Sequence, residues 1–297
     1  MTEFLQQLIN GVSLGSIYAL IALGYTMVYG VLRFINFAHS DVFMVGAFTG
    51  FYLSRYVRTE SIWGGTVVLL AAMAICAVLG IIIEKLAYRP LRKRSTLTVL
   101  ITAIGVSLFL QNGGQKIFGP NPKSFPKLFP SSNFKLPGEL VISTDQLAVL
   151  GIAIILLLLL QFIVLKTKMG TAMRAVSFSH QAAALMGINI DVVISFTFGL
   201  GSALAAAGGI LYAMNYPSID PLMGTLPGLK AFVAAVLGGI GNIPGAALGG
   251  MIIGIVETMI GGTRWSTYKD AIAFAVLILI LLFRPAGILG KMQVEKV

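Results

Sequence analysis

Long apolar runs separated by short polar stretches dominate this chain. An α-helix needs roughly 20 apolar residues to cross the hydrocarbon core of a bilayer, and six runs reach that length, whereas three are shorter and are predicted to be tilted, extended by polar flanks or broken. The pattern therefore predicts an all-α, polytopic helical membrane protein with about 8–9 hydrophobic segments, some short or broken. The long runs are Leu8–Leu32, Trp63–Ile83, Leu97–Phe118, Gln146–Leu165, Val192–Met214 and Ile243–Gly262, and the short ones are Val42–Leu53, Leu229–Ile240 and Ala271–Phe283.

Composition agrees with a bilayer environment. Of the 297 residues, 57% are hydrophobic and only 11% are charged, which is too little polar surface to cover a soluble globule of this size. The net charge of +10 would suit nucleic acid, but the basic residues lie at the ends of apolar runs and form no basic helix face. This placement fits lipid head groups and membrane orientation better, so the lipid bilayer is expected as a partner and nucleic acid is not. The single cysteine, Cys76, excludes an internal disulfide and a thiolate metal cluster, and no metal site is predicted.

Basic residues also orient the segments. They crowd the connections at Lys85–Arg94 and Lys166–Arg174, which the positive-inside rule places in the cytoplasm. The N-terminus lacks the positive region of a cleavable signal, so the first span is expected to be retained. The N-terminus is predicted to lie outside only if the segment Val42–Leu53 crosses the bilayer completely. The charges that carry this argument are Lys85, Arg89, Arg92, Lys93 and Arg94, then Lys166, Lys168 and Arg174, and Arg284, Lys291 and Lys296 near the C-terminus.

The longest external loop, residues 119–145, is rich in proline. Proline at this density excludes a helix interior and favours an ordered or extended cap over the outer face, which could receive a soluble partner. An inert linker is the alternative. The prolines are Pro120, Pro122, Pro126, Pro130 and Pro137.

The cytoplasmic stretch 166–191 is a polar island between two long apolar runs. Within it, Ser179 can N-cap a short helix over Gln181–Leu185, and Gly187 can end that helix in the left-handed conformation. A helix of about two turns is marginal alone in water. We therefore expect a docking loop that packs on another protein, with an ordinary solvated linker as the alternative.

Two interruptions marked by glycine and asparagine lie in corresponding places, at Phe34–Asp41 and Gly238–Gly250. Paired interruptions of apolar segments point to a translocation pathway, because unwound backbone is tolerated at membrane depth only where it lines a cavity or is buried in protein. A helix N-terminus at such a break would suit a substrate carboxylate. For the glycines, close helix packing is an equal alternative.

The remaining ionisable groups give little support for enzyme chemistry. His39 and Asp41 stand one residue apart with no third group, and His180 is isolated. Glu257, the one acid well inside a long run, is expected to line a path, pair with another subunit or relay protons. The chain has no GxxxxGK[ST] phosphate-binding loop, so an ATPase driving transport would be another polypeptide.

Four stretches carry a family resemblance: Gly11–Ala47, Tyr88–Asn112, Gly170–Asn189 and Ala235–Gly250. Together, and in this order, they resemble the permease subunit of high-affinity branched-chain amino-acid ABC importers. The resemblance implies a pathway core containing the NFAH and GGIGN segments and a coupling helix that seats in an ATPase groove. Ser40 departs from the pattern, since a glycine usually follows NFAH, and a position requiring positive φ would disfavour serine.

The resulting hypothesis is a single transmembrane permease domain over residues 1–297 of the bacterial inner membrane, not itself an enzyme and without a cofactor of its own. The implied partners are a second homologous permease, two cytoplasmic ATPase subunits that use the ATP, and a periplasmic amino-acid-binding protein. The urea and short-chain amide permeases share much of the pattern and are the main alternative, followed by a secondary carrier or passive channel. The expected pathway residues are Asn36, Phe37, His39, Asp41, Gly238, Gly239, Gly241, Asn242 and Glu257, and the expected ATPase-coupling residues are Gly170, Arg174, Ser179, Ala182, Ala183, Leu185 and Gly187.

Overall fold

The structure is a computed structural model that describes residues 2–57, 59–92, 94–136, 140–284 and 286–290. Lys93, Pro137, Lys291 and Lys296, which entered the sequence arguments, lie outside these residues. The α-helices are α1 (Thr2–Leu32), α2 (His39–Leu53), α3 (Ile62–Ile83), α4 (Thr96–Phe118), α5 (Thr144–Lys166), α6 (Lys168–Phe178), α7 (His180–Leu185), α8 (Ile190–Asn215), α9 (Thr225–Gly238), α10 (Ile243–Gly261) and α11 (Lys269–Phe283).

All nine predicted apolar segments are helices, so the all-α polytopic architecture is confirmed. Seven are long and apolar enough to span a membrane, and α3 extends to Leu91 through a π-helical and a 3-10 turn. The other two, α2 and α9, contain 15 and 14 residues, which correspond to only about 21–23 Å at ~1.5 Å per residue. Both are therefore shorter than the ~30 Å hydrocarbon core.

Helix α1 is the central element and is buried along most of its length. It packs most extensively on α10, and glycines on both helices permit the contact. A Cβ built on Gly15 would stand 2.8 Å from the Cα of Met251, and one on Gly250 would overlap the backbone of Ala19. Small residues at these positions allow the helix backbones to approach closely, which is how helices associate where lipid supplies no hydrophobic driving force.

The described residues of the Pro-rich loop, 119–136 and 140–145, form an ordered cap, and their contacts show which helix ends lie on the same side. Strand β1 (Lys123–Ser124) pairs with β4 (Ser218–Ile219), β2 (Asn133–Leu136) pairs with β3 (Leu140–Ser143), and Leu128 is buried. Gln6 near the start of α1 exchanges two hydrogen bonds of 2.9 Å with the backbone of Val141. The start of α1 therefore lies on the same face as the cap.

The opposite end of α1 lies on the basic face. Arg33 donates to the carbonyl oxygen of Ser177 in α6 at 3.4 Å, and α2 then returns to the cap, where Lys123 donates to the hydroxyl of Tyr52 at 2.9 Å. The segment Val42–Leu53 thus reaches the outer face, but its helix begins inside the bilayer rather than at the cytoplasmic surface.

We expect Gly15→Ala to destabilise the protein, because the added methyl group meets the backbone of Met251. Overpacking of this kind costs about 1–3 kcal/mol, measurable as a lower thermal midpoint in detergent. The matched control is Gly151→Ala in α5, where nothing lies within 4 Å of the added atom. It should be neutral or more stable by up to ~1 kcal/mol from helix propensity. Equal effects at the two sites would contradict the packing account.

Candidate functional site

The first predicted interruption is a true break inside the membrane region. The chain leaves α1 at Leu32 and re-enters a helix at His39, whose imidazole packs directly against Gly24 with no room for a Cβ on that glycine. Gly24 precedes the end of α1 by eight residues, or about 12 Å along the helix. Helix α2 therefore starts well within the bilayer, and its first turn is buried.

The polar residues of this break reach separate neighbours. Asn36 accepts a 2.6 Å hydrogen bond from the hydroxyl of Tyr88, and Asp41 accepts a 3.0 Å bond from the amide of Gln111. The ring centroid of His39 stands 4.6 Å from that of Tyr25. These polar side chains of the segment therefore contact three different neighbours.

Phe37 links the break to the C-terminal half of the chain. Its ring lies 6.5 Å from Phe232 of α9, which also meets Tyr25 at 6.0 Å between centroids. These three aromatic side chains bring α1, the break and α9 together beside His39. Among the described residues, the Nε2 atom of His39 and the Oδ2 atom of Asp41 are buried without a hydrogen-bond partner.

The structural counterpart of this break is not where the sequence placed it. Within Gly238–Gly250, only the turn up to Asn242 is non-helical, and α10 continues unbroken from Ile243. The prediction of an interruption over the whole stretch is therefore wrong, and packing explains its later glycines. Gly249 approaches the backbone of Ala234, as Gly250 approaches that of Ala19.

The second break precedes α9, between Tyr216 and Gly224. In this break the chain runs from strand β4 at the outer cap to the start of α9. There Gly224 and Gly228 pack against Ser40 at the start of α2. Two short helices therefore begin next to each other in the membrane interior. Ser40 has ordinary helical geometry and contacts these glycines, so the concern about positive φ does not apply.

The Gly238–Asn242 turn lies at the cytoplasmic end of the molecule. Gly239 and Gly241 have φ angles of 103° and 92°, which disfavour residues with a side chain. Asn242 N-caps α10 by accepting from the amide of Gly245, and its own side-chain amide donates to the carbonyl of Leu289. Gly238 packs against Gly245. These predicted pathway residues form a turn that holds the C-terminal segment.

Glu257 is at the centre of a buried charge cluster toward the outer face. Its carboxylate accepts from the ammonium of Lys230 at 2.6 Å and from the hydroxyl of Tyr18 at 2.8 Å. Lys230 also meets Asp270 at 2.6 Å, and Lys269 stands 3.9 Å from Glu257. From the sequence, three roles were expected for Glu257: lining a path, pairing with another subunit or relaying protons. An ion pair within the chain was not one of them.

Lys230 was missed by the sequence reasoning. The signal was present, because it is the one lysine or arginine between Arg174 and Arg264 and it lies near the start of an apolar segment. Its side chain is only 5% exposed. A cavity of about 380 Å³ adjoins the cluster and is lined by polar side chains from α1, α5, α8 and α10, including Asn10, Gln146 and Asn215.

A second charge network joins two cytoplasmic connections. Glu84, fully buried at the end of α3, binds Arg89 and Arg92 and accepts a 2.6 Å bond from the hydroxyl of Ser195. Arg92 also binds Asp191 at 2.8 Å, at the start of α8. The network fixes the end of α3 to the beginning of α8, directly after the predicted docking loop.

The predicted coupling helix is present with its expected caps. Ser179 accepts from the amide of Ala182 at 3.2 Å, and Gly187 has a φ angle of 80°. Ala183 faces inward and is 3% exposed, whereas Leu185 is 89% exposed. A surface on α7 is therefore available to a partner through Leu185 and its neighbours, including exposed Ala182, but not through Ala183.

Helix α6 precedes the coupling helix and was not predicted. Thr167 caps it through the amide of Gly170, and Gly170 packs beneath the last carbonyl groups of α5. Arg174 projects from its exposed face.

The pKa of His180 is lowered by burial and by the nearby positive charges of Arg92 and Arg33, which favours the neutral imidazole.

The bundle of apolar helices, its two short helices and its basic face indicate a multi-pass membrane protein. The family model described as branched-chain amino acid transport system / permease component matches residues 7–281. The chain belongs to this family of transport permeases and is a multi-pass protein of the inner membrane.

Curated relatives agree over nearly the full length. The high-affinity branched-chain amino acid transport system permease protein LivH of Escherichia coli K12 is 44% identical over 305 residues, covering 99% of this chain and 98% of the relative. The corresponding protein BraD of Pseudomonas aeruginosa is 43% identical, with the same coverage. A probable LivH of Methanocaldococcus jannaschii is 31% identical over 93% of this chain and 89% of its own length.

We expect Lys230→Met to lower the free energy of unfolding by about 3–5 kcal/mol, because it leaves the Glu257 carboxylate buried without its cation. Thermal unfolding of the purified protein in detergent measures the loss. The double variant Lys230→Met/Glu257→Leu should recover much of it, and Lys116→Met at an exposed position is the control. A single variant as stable as the parent would show that the ion pair is not needed.

Proposed function

We propose that the chain is the translocation subunit of an ATP-driven importer of branched-chain amino acids. The observation that carries the proposal is the cytoplasmic platform of α6 and α7, which presents apolar side chains to the aqueous side. Phe178 is 86% exposed and Met186 is 83% exposed, on either side of a capped helix of six residues. Apolar groups exposed in this way on an ordered surface mark a protein interaction site.

The proposed partners follow from the family and from the platform. Two cytoplasmic ATPase subunits would bind α7 of this chain and of a second homologous permease, and a periplasmic binding protein would deliver leucine, isoleucine or valine to the outer cap. ATP is consumed by the ATPases, and the permease needs no cofactor. The relatives, which are named for branched-chain amino acid transport, support this substrate class over urea or amides.

A continuous set of contacts would transmit movement of α7 to the membrane interior. The chain passes from α7 to α8 through Asn189, which caps α8 by accepting from the amides of Asp191 and Val192. Helix α8 then packs closely on α2, where Gly209 approaches the backbone of Phe43. Since the start of α2 contacts the start of α9 at Ser40, tilting of α8 would move both short helices together.

Alternating access would therefore involve the two helices that begin inside the bilayer. Their breaks leave non-helical backbone at membrane depth, a feature that transporters place at the substrate path. Asn36, Phe37, His39 and Asp41 remain the proposed pathway residues on this basis, together with Phe232, which the structure adds. Glu257 and the Gly238–Asn242 turn would act by holding the surrounding helices in place.

We expect Leu185→Asp to abolish ATP-dependent leucine uptake and to release the ATPase during purification, because it places a charge at the centre of the exposed apolar surface. The measurement combines uptake into proteoliposomes with copurification of the ATPase. Phe134→Ser on the outer hairpin, 52% exposed, is the control and should retain the ATPase. Ala183→Arg is a less direct test, since Ala183 is buried and its replacement would disturb the chain's own packing.

Uptake that persists without ATP would contradict the proposal in favour of a passive channel. Uptake abolished by a protonophore at constant ATP would favour a secondary carrier. Transport of urea or acetamide in preference to leucine, with ATPase binding unchanged, would leave the permease mechanism standing and overturn the substrate.

A further inference from the structure

A cleft of about 760 Å³ opens at the cytoplasmic end of the molecule, beside the platform of α6 and α7. Its walls come from α1, α5, α6, the α9–α10 turn and the C-terminal segment. The inner part is mainly apolar, and two arginines stand at the mouth. The apolar wall includes Met27, Val31, Val164, Leu165, Ile240 and Leu289.

The mouth of the cleft is positively charged. Arg33 and Arg174 line it, and no acidic residue is among the lining residues of the described chain. Among the described residues, their guanidinium groups donate hydrogen bonds only to neutral oxygens. Arg33 donates to the carbonyl of Ser177 at 3.4 Å, and Arg174 donates to the hydroxyl of Thr171 at 3.3 Å. By contrast, Arg89 and Arg92 on the same face are paired with Glu84 and Asp191. The cleft therefore attracts an anion.

Two further features indicate an occupant with polar and apolar parts. Thr26 lines the cleft, and its hydroxyl oxygen is buried in the wall without a hydrogen-bond partner among the described residues. Thr26 lies seven residues before Arg33, or about 10 Å deeper along α1. The side chains of Tyr29 and Gln161 also line the cleft. This arrangement matches the parts of a phospholipid. The charged groups at the mouth suit its phosphate, the hydrogen-bonding groups inside suit its glycerol esters, and the apolar wall suits an acyl chain.

We infer that this cleft binds an anionic phospholipid of the inner leaflet, with its phosphate on Arg33 and Arg174 and an acyl chain along the apolar wall. Basic pockets between transmembrane helices on the cytoplasmic side bind acidic head groups in this way. A zwitterionic amino acid fits less well, because its ammonium group would find no carboxylate among the described residues that line the cleft. The lipid joins α1 and α5 to the C-terminal segment beside the coupling platform.

The test is native mass spectrometry of the full chain after incubation with mixed micelles of phosphatidylglycerol and phosphatidylcholine at equal concentration. The parent should retain phosphatidylglycerol selectively. The double variant Arg33→Gln/Arg174→Gln should bind it about 30-fold more weakly, since each basic residue near the surface contributes about 1 kcal/mol and ~1.4 kcal/mol is a factor of ten. Lys166→Gln/Lys168→Gln removes the same charge from the same face outside the cleft lining and should retain the lipid.

The variant Arg33→Lys/Arg174→Lys keeps both charges and should recover most of the binding, which separates loss of charge from misfolding. Equal retention by the parent and by the double glutamine variant would overturn the inference. Displacement of the lipid by millimolar leucine would also overturn it, because an amino acid would then be the occupant. Equal binding of phosphatidylcholine by the parent would show that the arginines do not select an anionic head group.

Discussion

The close contact between α1 and α10 is the constraint on which the other features of this permease depend. Lipid is as apolar as the helix surfaces, so helix association in the bilayer relies on close van der Waals packing and on buried polar contacts. Gly15 and Gly250 supply the first by letting the two backbones touch. The same approach brings Glu257 to Tyr18, and the contact between α9 and α10 brings Lys230 to the same carboxylate. Replacing hydration by these partners makes a buried carboxylate tolerable, and it fixes α9 and α11 around α1.

Non-helical backbone can remain in the membrane region here because protein covers it. The first turn of α2 is buried by α1 and α9, and the chain before α9 is paired with the outer cap at β4 before it descends. The backbone hydrogen bonds of the first break are local, from His39 to Asn36 and from Asp41 to Ala38, whereas the chain before α9 also pairs with the distant outer cap. The beginnings of α2 and α9 are in contact at Ser40. Displacement of one of these helices would therefore also displace the other.

The cytoplasmic arginines divide into two groups with different physical consequences. Arg89 and Arg92 are tied to buried Glu84 and to Asp191, so they fasten α3 to α8 at the base of the coupling loop. Arg33 and Arg174 have only neutral partners among the described residues and leave positive potential at the mouth of a cleft. Both groups satisfy the positive-inside rule equally well. Their roles differ because only the first group meets carboxylates in the folded chain.

The sequence by itself determined the features that depend on local pattern. Run length predicted every apolar helix, basic residues gave a consistent orientation, and Ser179 with Gly187 predicted the caps of α7, because hydropathy and capping act over a few residues. Helix α6 was missed since its polar composition gives no membrane signal. The tertiary structure alone decided that Lys230 meets Glu257, that Ala183 faces inward, and that the second break precedes α9 rather than covering Gly238–Gly250. Those outcomes depend on which helix faces which, and the glycine contacts between elements distant in the chain set that arrangement.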